Sequence, residues 1–469
     1  MSRTVVVGGG IAGLACAYDL AKAGREVVLL EAGPRLGGKI LSDPVGQHVF
    51  EAGPDSFITQ KPWGLALVRE LGLASALMPT SETEKDVFVY TRGRLRRYPD
   101  GLMLMAPAKV LPFLASDLVG WPAKLRMGLE MFVPRGSDPD ESLGAFTRRR
   151  FGSEALEVIV GPVMAGIYAG DPDRLSLAAT FPQFADMERD GPSVFLALRR
   201  AHAKRLAAAA KPGAGPRVTM FMALDGGLGR LVDALAARIP PGAARTSAPL
   251  EALRREGSGW VLKAGGAELA AQEVVLALPA SAVAPLLAPF EAAAAAELAA
   301  VRFVSTATVS LAYAPGSWGG RLKGFGFVVD RREARAVVAG TFSSSKFPGR
   351  AKGGEELLRL FLGGAGREEV VGWTDADILA AVRRDLGEIL GASPEPSTAR
   401  VYRWPSSNPQ YDVGHRARVA RLEARIKTLP GLILAGSSYK GVGIPDCVRS
   451  GRDAAMRILA GSAAEGAVL

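Results

Sequence analysis

The residues best suited to chemistry stand close to the N-terminus. Gly8-Gly9-Gly10-Ile11-Ala12-Gly13 follows the β-branched run Thr4-Val5-Val6-Val7 and reads as G-x-G-x-x-G. Leu14 to Ala23 predicts a helix that stops at Gly24, and a second strand, Glu26 to Leu30, delivers Glu31. Strand, turn, helix, strand and acid in this order suit a dinucleotide. Gly8 makes the tight turn, Gly10 lets the backbone meet a pyrophosphate, and Gly13 allows close helix–strand packing. The pyrophosphate then sits at the positive helix N-terminus. Glu31 would accept hydrogen bonds from a ribose hydroxyl, a role closed to a basic residue.

The next segment separates FAD from NAD. Glu31-Ala32-Gly33-Pro34-Arg35-Leu36-Gly37-Gly38-Lys39-Ile40 resembles the E-x-x-x-R-x-G-G motif of the flavoproteins with two dinucleotide-binding domains. That group includes monoamine oxidases, phytoene desaturases and protoporphyrinogen oxidases. The resemblance implies FAD, with Arg35 and Gly37-Gly38 beside its phosphates.

These sites need scaffolding from far along the chain. Asp225-Gly226-Gly227-Leu228 with Leu231-Val232 looks like the group's glycine turn entering a helix. Pro249 to Leu253 and Gly259 to Lys263 suggest strands of a meander, and Glu273 to Pro279 a buried strand. Gly431 to Gly436 forms a last strand, opening into Gly441-Val442-Gly443-Ile444-Pro445-Asp446 and a helix from Cys447 to Leu459. In this flavoprotein group that closing turn lies against the flavin. Between the blocks, Gly101 to Lys204 has helical periodicity and Ala207 to Pro216 is an alanine, glycine and proline linker. Thr306 to Tyr313 and Phe325 to Val329 read as strands of a substrate-facing sheet, and Ala292 to Ala296 as a helix. The expected fold is α/β with α+β. A discontinuous Rossmann-type FAD-binding domain takes residues 1–80, 217–296 and 405–469, a mixed-sheet substrate domain 81–100 and 297–404, and a helical insertion 101–216.

Further blocks narrow the resemblance. Gly53-Pro54-Asp55-Ser56-Phe57, Ser142 to Phe146, Gly166-Ile167-Tyr168-Ala169-Gly170-Asp171, Leu175-Ser176 with Thr180-Phe181-Pro182, Arg403-Trp404-Pro405, Pro409-Gln410-Tyr411 with Gly414-His415, and Gly441 to Cys447 together resemble oxygen-dependent protoporphyrinogen oxidases. They span essentially the whole chain. Within that family the chain is most similar to the bacterial, Gram-positive-like branch, which oxidises coproporphyrinogen III and also protoporphyrinogen IX. Lys61 stands where that branch carries a substrate-facing lysine. Val87, ahead of Phe88-Val89-Tyr90, replaces the arginine of the mitochondrial and plant branch.

The resemblance implies an enzyme of haem biosynthesis that removes six electrons from a porphyrinogen in three two-electron steps, with O₂ reoxidising the flavin to give H₂O₂. Hydride leaves a methylene bridge, and the pyrrole N–H groups supply the protons. The cofactor carries the chemistry, so no protein residue is assigned as catalytic and no metal is expected. Carried-over FAD contacts are Gly8, Gly9, Gly10, Ile11, Ala12, Gly13, Glu31, Ala32, Arg35, Gly38, Lys39, Gly53, Pro54, Asp55, Ser56, Leu250, Trp404, Gly436, Val442, Gly443 and Ile444. Carried-over substrate contacts are Lys61 for a carboxylate, Gly166 for close approach of the macrocycle and Phe325 as an apolar wall, with Arg92, Arg94, Arg96 and Arg97 next in line for carboxylates. By residue type alone, Lys61 also reads as a solvated loop lysine, Phe325 as a core aromatic and Trp404 as a packed indole. His48, His202 and His415 show no partner pattern and read as structural. An amine oxidase or carotenoid desaturase is the alternative enzyme, although Tyr439-Lys440 stands where a covalent flavin attachment would need cysteine. A binding protein of the same fold without FAD, as among the prenylated-GTPase dissociation inhibitors, is the alternative outside enzymes.

The composition, 48% hydrophobic and 22% charged, is that of a globular chain. A net charge of +10 with no nucleic-acid motif favours an acidic substrate or lipid head groups over nucleic acid. Cys16 and Cys447 make neither a metal nor a disulfide framework, which suits a reduced cytoplasm. Three glycines interrupt the first apolar run and argue against a signal peptide. No run is long enough to span a membrane. The Met-rich stretch Leu102 to Val133 leads us to expect peripheral contact with the inner face of the cell membrane, its other reading being a buried core lining a substrate tunnel.

Overall fold

Thr4–Val7 and Glu273–Leu276 are near-continuous runs of β-branched and aliphatic residues, as strands covered on both faces must be. In the computed structural model, which describes residues 3–209 and 218–466, they are adjacent in a five-stranded parallel sheet. The strand order is Ala244–Arg245, Val27–Leu30, Thr4–Val7, Glu273–Leu276, Leu432–Leu434. Val5 pairs with Val28 on one side and Val274 on the other, and Val5, Val6, Val274 and Val275 are fully buried. Each such side chain contributes roughly 1.5–3 kcal/mol of hydrophobic stabilisation.

This sheet belongs to the first of two compact units, formed by residues 1–80, 218–302 and 416–469. The fingerprint helix Ile11–Lys22 begins directly after Gly10, earlier than its apolar periodicity suggests. The terminal helix Ile444–Gly466 also starts early, with Pro445 in its first turn, where a missing N–H costs nothing. Leu250–Glu256, Gly259–Ala264 and Ala267–Ala271 form the antiparallel meander. Gly229–Ala236 is the helix after the Gly226-Gly227 turn.

The second unit comprises residues 81–217 and 303–415. Its seven-stranded mixed sheet runs Thr398–Pro409, Phe303–Tyr313, Glu356–Gly363, Val337–Phe342, Gly326–Val329, Val87–Thr91, Arg94–Arg97. Only the contact of Gly326–Val329 with Val87–Thr91 is parallel. The stretch from 101 onward lies inside this unit and has its own core around Phe146, Phe151, Ile159, Met164 and Phe184. A π-helical turn, Ala155–Val160, runs straight into the helix Gly161–Tyr168. Such turns are uncommon and concentrate at functional positions. Of the expected linker, Ala207 to Ala209 end the helix Val194–Ala209, and 210–216 lie outside the described residues. Among the described residues no helix is long and apolar enough to cross a membrane.

Candidate cofactor and substrate site

The three fingerprint glycines are required for different reasons. Gly8 has φ +108°, and a Cβ there would lie 2.5 Å from the Ala277 carbonyl oxygen. A Cβ on Gly13 would lie 1.9 Å from the Gly8 oxygen, so the helix can approach the strand only as glycine. Gly10 differs, because a Cβ there would meet no atom within 4 Å. Its φ of −70° suits any residue. Nothing in the protein demands glycine at position 10, whereas an occupant of the space before it would. The helix that starts there has no side-chain cap and no acid in its first turn, leaving a positive end open to an anion.

The Glu31-to-Lys39 segment closes on this cradle. Glu31 accepts hydrogen bonds from the backbone N–H of Gly9 and of Gly33, each 2.7 Å. Each oxygen keeps a lone pair for a ribose hydroxyl. Arg35 donates to the carbonyls of Leu36 (3.1 Å), Ile40 (3.0 Å) and Gly38 (2.6 Å), and burial lowers its pKa. It therefore staples the glycine loop. The loop meets the fingerprint where Gly37 donates to the Gly9 oxygen, 2.8 Å, and a Cβ on Gly38 would stand 3.1 Å from the Gly10 Cα. Burial also lowers the pKa of Lys39.

Other stretches of the first unit join the cradle. A Cβ on Gly53 would fall 1.7 Å from the Lys39 carbonyl, so Gly53, Pro54, Asp55 and Ser56 continue from Lys39, with Ser56 donating to Asp55 at 2.7 Å. The N–H groups of Ser247 and Ala248 donate to the Gly33 and Glu31 carbonyls, bringing Leu250 to the glutamate end. Ala32 is exposed beside it. Gly436, with φ +109° and open space at its Cβ position, donates to Ser450 at 2.9 Å. Ile11 and Ala12 sit under the terminal helix, which begins at Ile444 directly after Val442 and Gly443. A cleft of ≈ 570 Å³ lined by Arg35, Ser42, Arg230 and Thr246, among others, includes none of the fingerprint glycines.

Lys61 precedes the helix Pro62–Glu70 and donates to both oxygens of Asp446 at 2.7 Å. It is an ion-pair partner, which residue type alone could not reveal. In the second unit, Gly166 is exposed in the helix Gly161–Tyr168, with only Val328 Cγ1, 3.9 Å away, near its Cβ position. Phe325 is half-buried just before the strand Gly326–Val329, and Trp404 is half-buried opposite Thr306. Three of the fallback arginines are held by acids: Arg92 by Glu154, Arg96 by Asp117, and Arg97 by Asp86 and Asp100, while Arg94 is exposed. In the sequence, Asp446 and Gln410 carry no signal beyond their motifs. Gln410, 1% exposed, donates to the Tyr168 carbonyl at 3.0 Å and to Asn408 at 3.2 Å, pinning the end of the Gly166 helix, where Ala169 takes a left-handed φ of +50°. His48 stacks on Phe50 and His415 on Tyr411.

Residues 11–459 match the protein family described as flavin containing amine oxidoreductase. The chain is 34% identical to coproporphyrinogen III oxidase of Bacillus subtilis over 96% of its own length and 97% of that protein's. It is also 34% identical to human protoporphyrinogen oxidase, covering 98% and 99% of the two chains. Among solved structures, an Exiguobacterium protein named for protoporphyrinogen oxidase superposes with a TM-score of 0.85 at 31% identity, covering 97% of this chain and 98% of that one.

Proposed function

This chain belongs to the family of flavin-containing amine oxidoreductases, and on that footing we propose that it oxidises a porphyrinogen to the porphyrin, coproporphyrinogen III at least as well as protoporphyrinogen IX. It is an FAD-dependent oxidoreductase. The observation that carries the proposal is the end-to-end likeness to the Bacillus subtilis coproporphyrinogen III oxidase.

The substrate loses six hydrogens in three steps, and three O₂ become three H₂O₂. The chemistry supplied by FAD, when bound, is the uptake and release of an electron pair. The residues of the chain bind and orient. The open helix N-terminus at Gly10 and the donors of the glycine loop would hold the pyrophosphate, and Glu31 the ribose. Lys61 has three N–H donors, two of them given to Asp446, and offers the third to a substrate carboxylate. Gly166 gives the macrocycle a surface without a side chain, and Phe325 an apolar wall. Protons come from the pyrrole N–H groups, so no acid–base residue is required.

Purified protein supplied with each porphyrinogen under air tests this. Porphyrin fluorescence should rise with three H₂O₂ formed per porphyrin, and a flavin-loaded protein that oxidised neither substrate would refute the proposal.

The second unit adds contact with a membrane surface. Leu111, Trp121, Leu125, Leu129 and Phe132 are exposed, Leu111 at 79% and Phe132 at 75%, on short helices within one stretch. Buried polar anchors hold them outward. Glu130, 1% exposed, accepts from Ser193 Oγ and the Phe195 N–H and pairs with Arg150. Lys124 donates to the Leu114 and Ser116 carbonyls beneath the Trp121 ring. An apolar patch on a rigid frame, flanked by exposed Lys109 and Arg135, suits insertion at the boundary of an anionic bilayer.

A further inference from the structure

The contact between Lys61 and Asp446 joins segments 385 positions apart, and both sit at helix starts. Lys61 immediately precedes Pro62–Glu70, and Asp446 lies in the first turn of Ile444–Gly466. The two starts pack tightly, since a Cβ on Gly64 would be 3.2 Å from both Pro445 Cγ and the Phe57 ring. Behind the carboxylate lies the glycine turn. Gly441 has φ +147°, and a Cβ there would stand 2.4 Å from Asp446 Cγ, while one on Gly443 would be 3.4 Å from Asp446 Oδ2. The turn is thus laid flat against the Asp446 carboxylate, and the carboxylate is gripped from its other side by Lys61. Its side chain is 13% exposed against 47% for Lys61, so the acid is the buried member and the lysine its link to the Phe57 segment.

We propose that Lys61 and Asp446 are positioning residues for the flavin: their ion pair ties the Gly53-to-Phe57 segment to the Gly441-to-Ile444 turn and sets the shape of that turn. The proposal rests on the assignment of both segments to the FAD site and adds a role for Lys61 beyond a carboxylate contact. It also couples substrate to cofactor, because a carboxylate reaching Lys61 shares an ammonium that already holds the turn.

The test uses holoenzyme. FAD release on dilution is followed by the rise in flavin fluorescence, alongside the absorption spectrum of the bound flavin, for wild type, Lys61→Met, Asp446→Asn, the double variant and Lys61→Arg. Lys61→Met and Asp446→Asn should each release FAD about fivefold faster and shift the bound-flavin band. The double variant should be no worse than either single one, and Lys61→Arg should restore wild-type release. Unchanged release and spectrum in both single variants would overturn the proposal, as would Lys61→Met raising only the KM for porphyrinogen. Failure of the underlying site assignment is visible separately, since wild-type protein would then carry no FAD.

Discussion

Gly451 of the terminal helix faces the carbonyl of Ala12 so closely that a Cβ would lie 2.0 Å from that oxygen. The contact sets the spacing of the two helices whose N-terminal ends carry the fingerprint and the closing turn. Backbone on one side and backbone on the other leave no flexible group to give way. Gly451→Ala should cost about 1–3 kcal/mol and lower both Tm and flavin occupancy, as measured by thermal unfolding of the holoenzyme.

Gly10 and Gly13 should fail differently. Gly10→Val fills space that no protein atom occupies, so the variant should fold with near-wild-type Tm as apoprotein and bind no FAD. Gly13→Ala drives a methyl into the Gly8 carbonyl and should destabilise the fold itself. Stoichiometric flavin in Gly10→Val would contradict the assignment of that space.

Glu70 gives a pH-dependent tie between three helices. It accepts from Tyr18 (3.0 Å), Lys22 (2.7 Å) and Arg452 (2.6 Å). Burial pushes its carboxyl up, but the hydrogen bonds from Lys22, Arg452 and Tyr18 outweigh it and bring the pKa from 4.5 to about 2. The folded value lies below the unfolded one, so the stabilisation is complete above about pH 4.5 and fades as pH falls towards 2. Partial exposure screens the contacts and holds the contribution to about 1 kcal/mol. Glu70→Gln should lower Tm at pH 7 and lose part of that deficit at pH 3.5. A constant deficit across that range would show that the carboxylate charge is not its source.

Gly166→Leu separates a substrate surface from a structural glycine. The helix has room at this position, and replacing an exposed helical glycine should stabilise it by about 0.5–1 kcal/mol. Flavin content should be unchanged, while KM for porphyrinogen should rise at least several-fold through steric exclusion. Unaltered KM in a stable variant would remove Gly166 from the substrate surface.

The apolar patch should mediate binding to vesicles containing anionic lipid. Leu111→Asp combined with Phe132→Asp should abolish flotation with such vesicles at low salt and leave oxidation of soluble substrate intact. Wild-type protein that did not float would refute membrane contact.

The strand, glycine turn and helix at the N-terminus were legible because their determinants are local. The spacing of Gly8, Gly10 and Gly13, the following helix and the acid at Glu31 lie within one strand–helix–strand passage, where backbone sterics act between near neighbours. The early helix start at Ile11 was less legible, since tertiary packing overrides the low helix propensity of Gly13 in its first turn. The Met-rich stretch was legibly apolar, yet such residue types suit a core or a surface, and the fold divides them: Phe113, Leu118 and Met127 are buried while Leu111 and Phe132 are exposed.

From its residues alone the chain determined a glycine turn between strand and helix, an α/β fold and a flavoprotein kinship, because each depends on spacing along short segments. Tertiary structure decided that Gln410 pins the Tyr168 carbonyl and that Lys61 is gripped by Asp446. These are charge and hydrogen-bond choices among many partners of equal chemistry. Distance settles them, and distance between remote positions is a property of the folded chain.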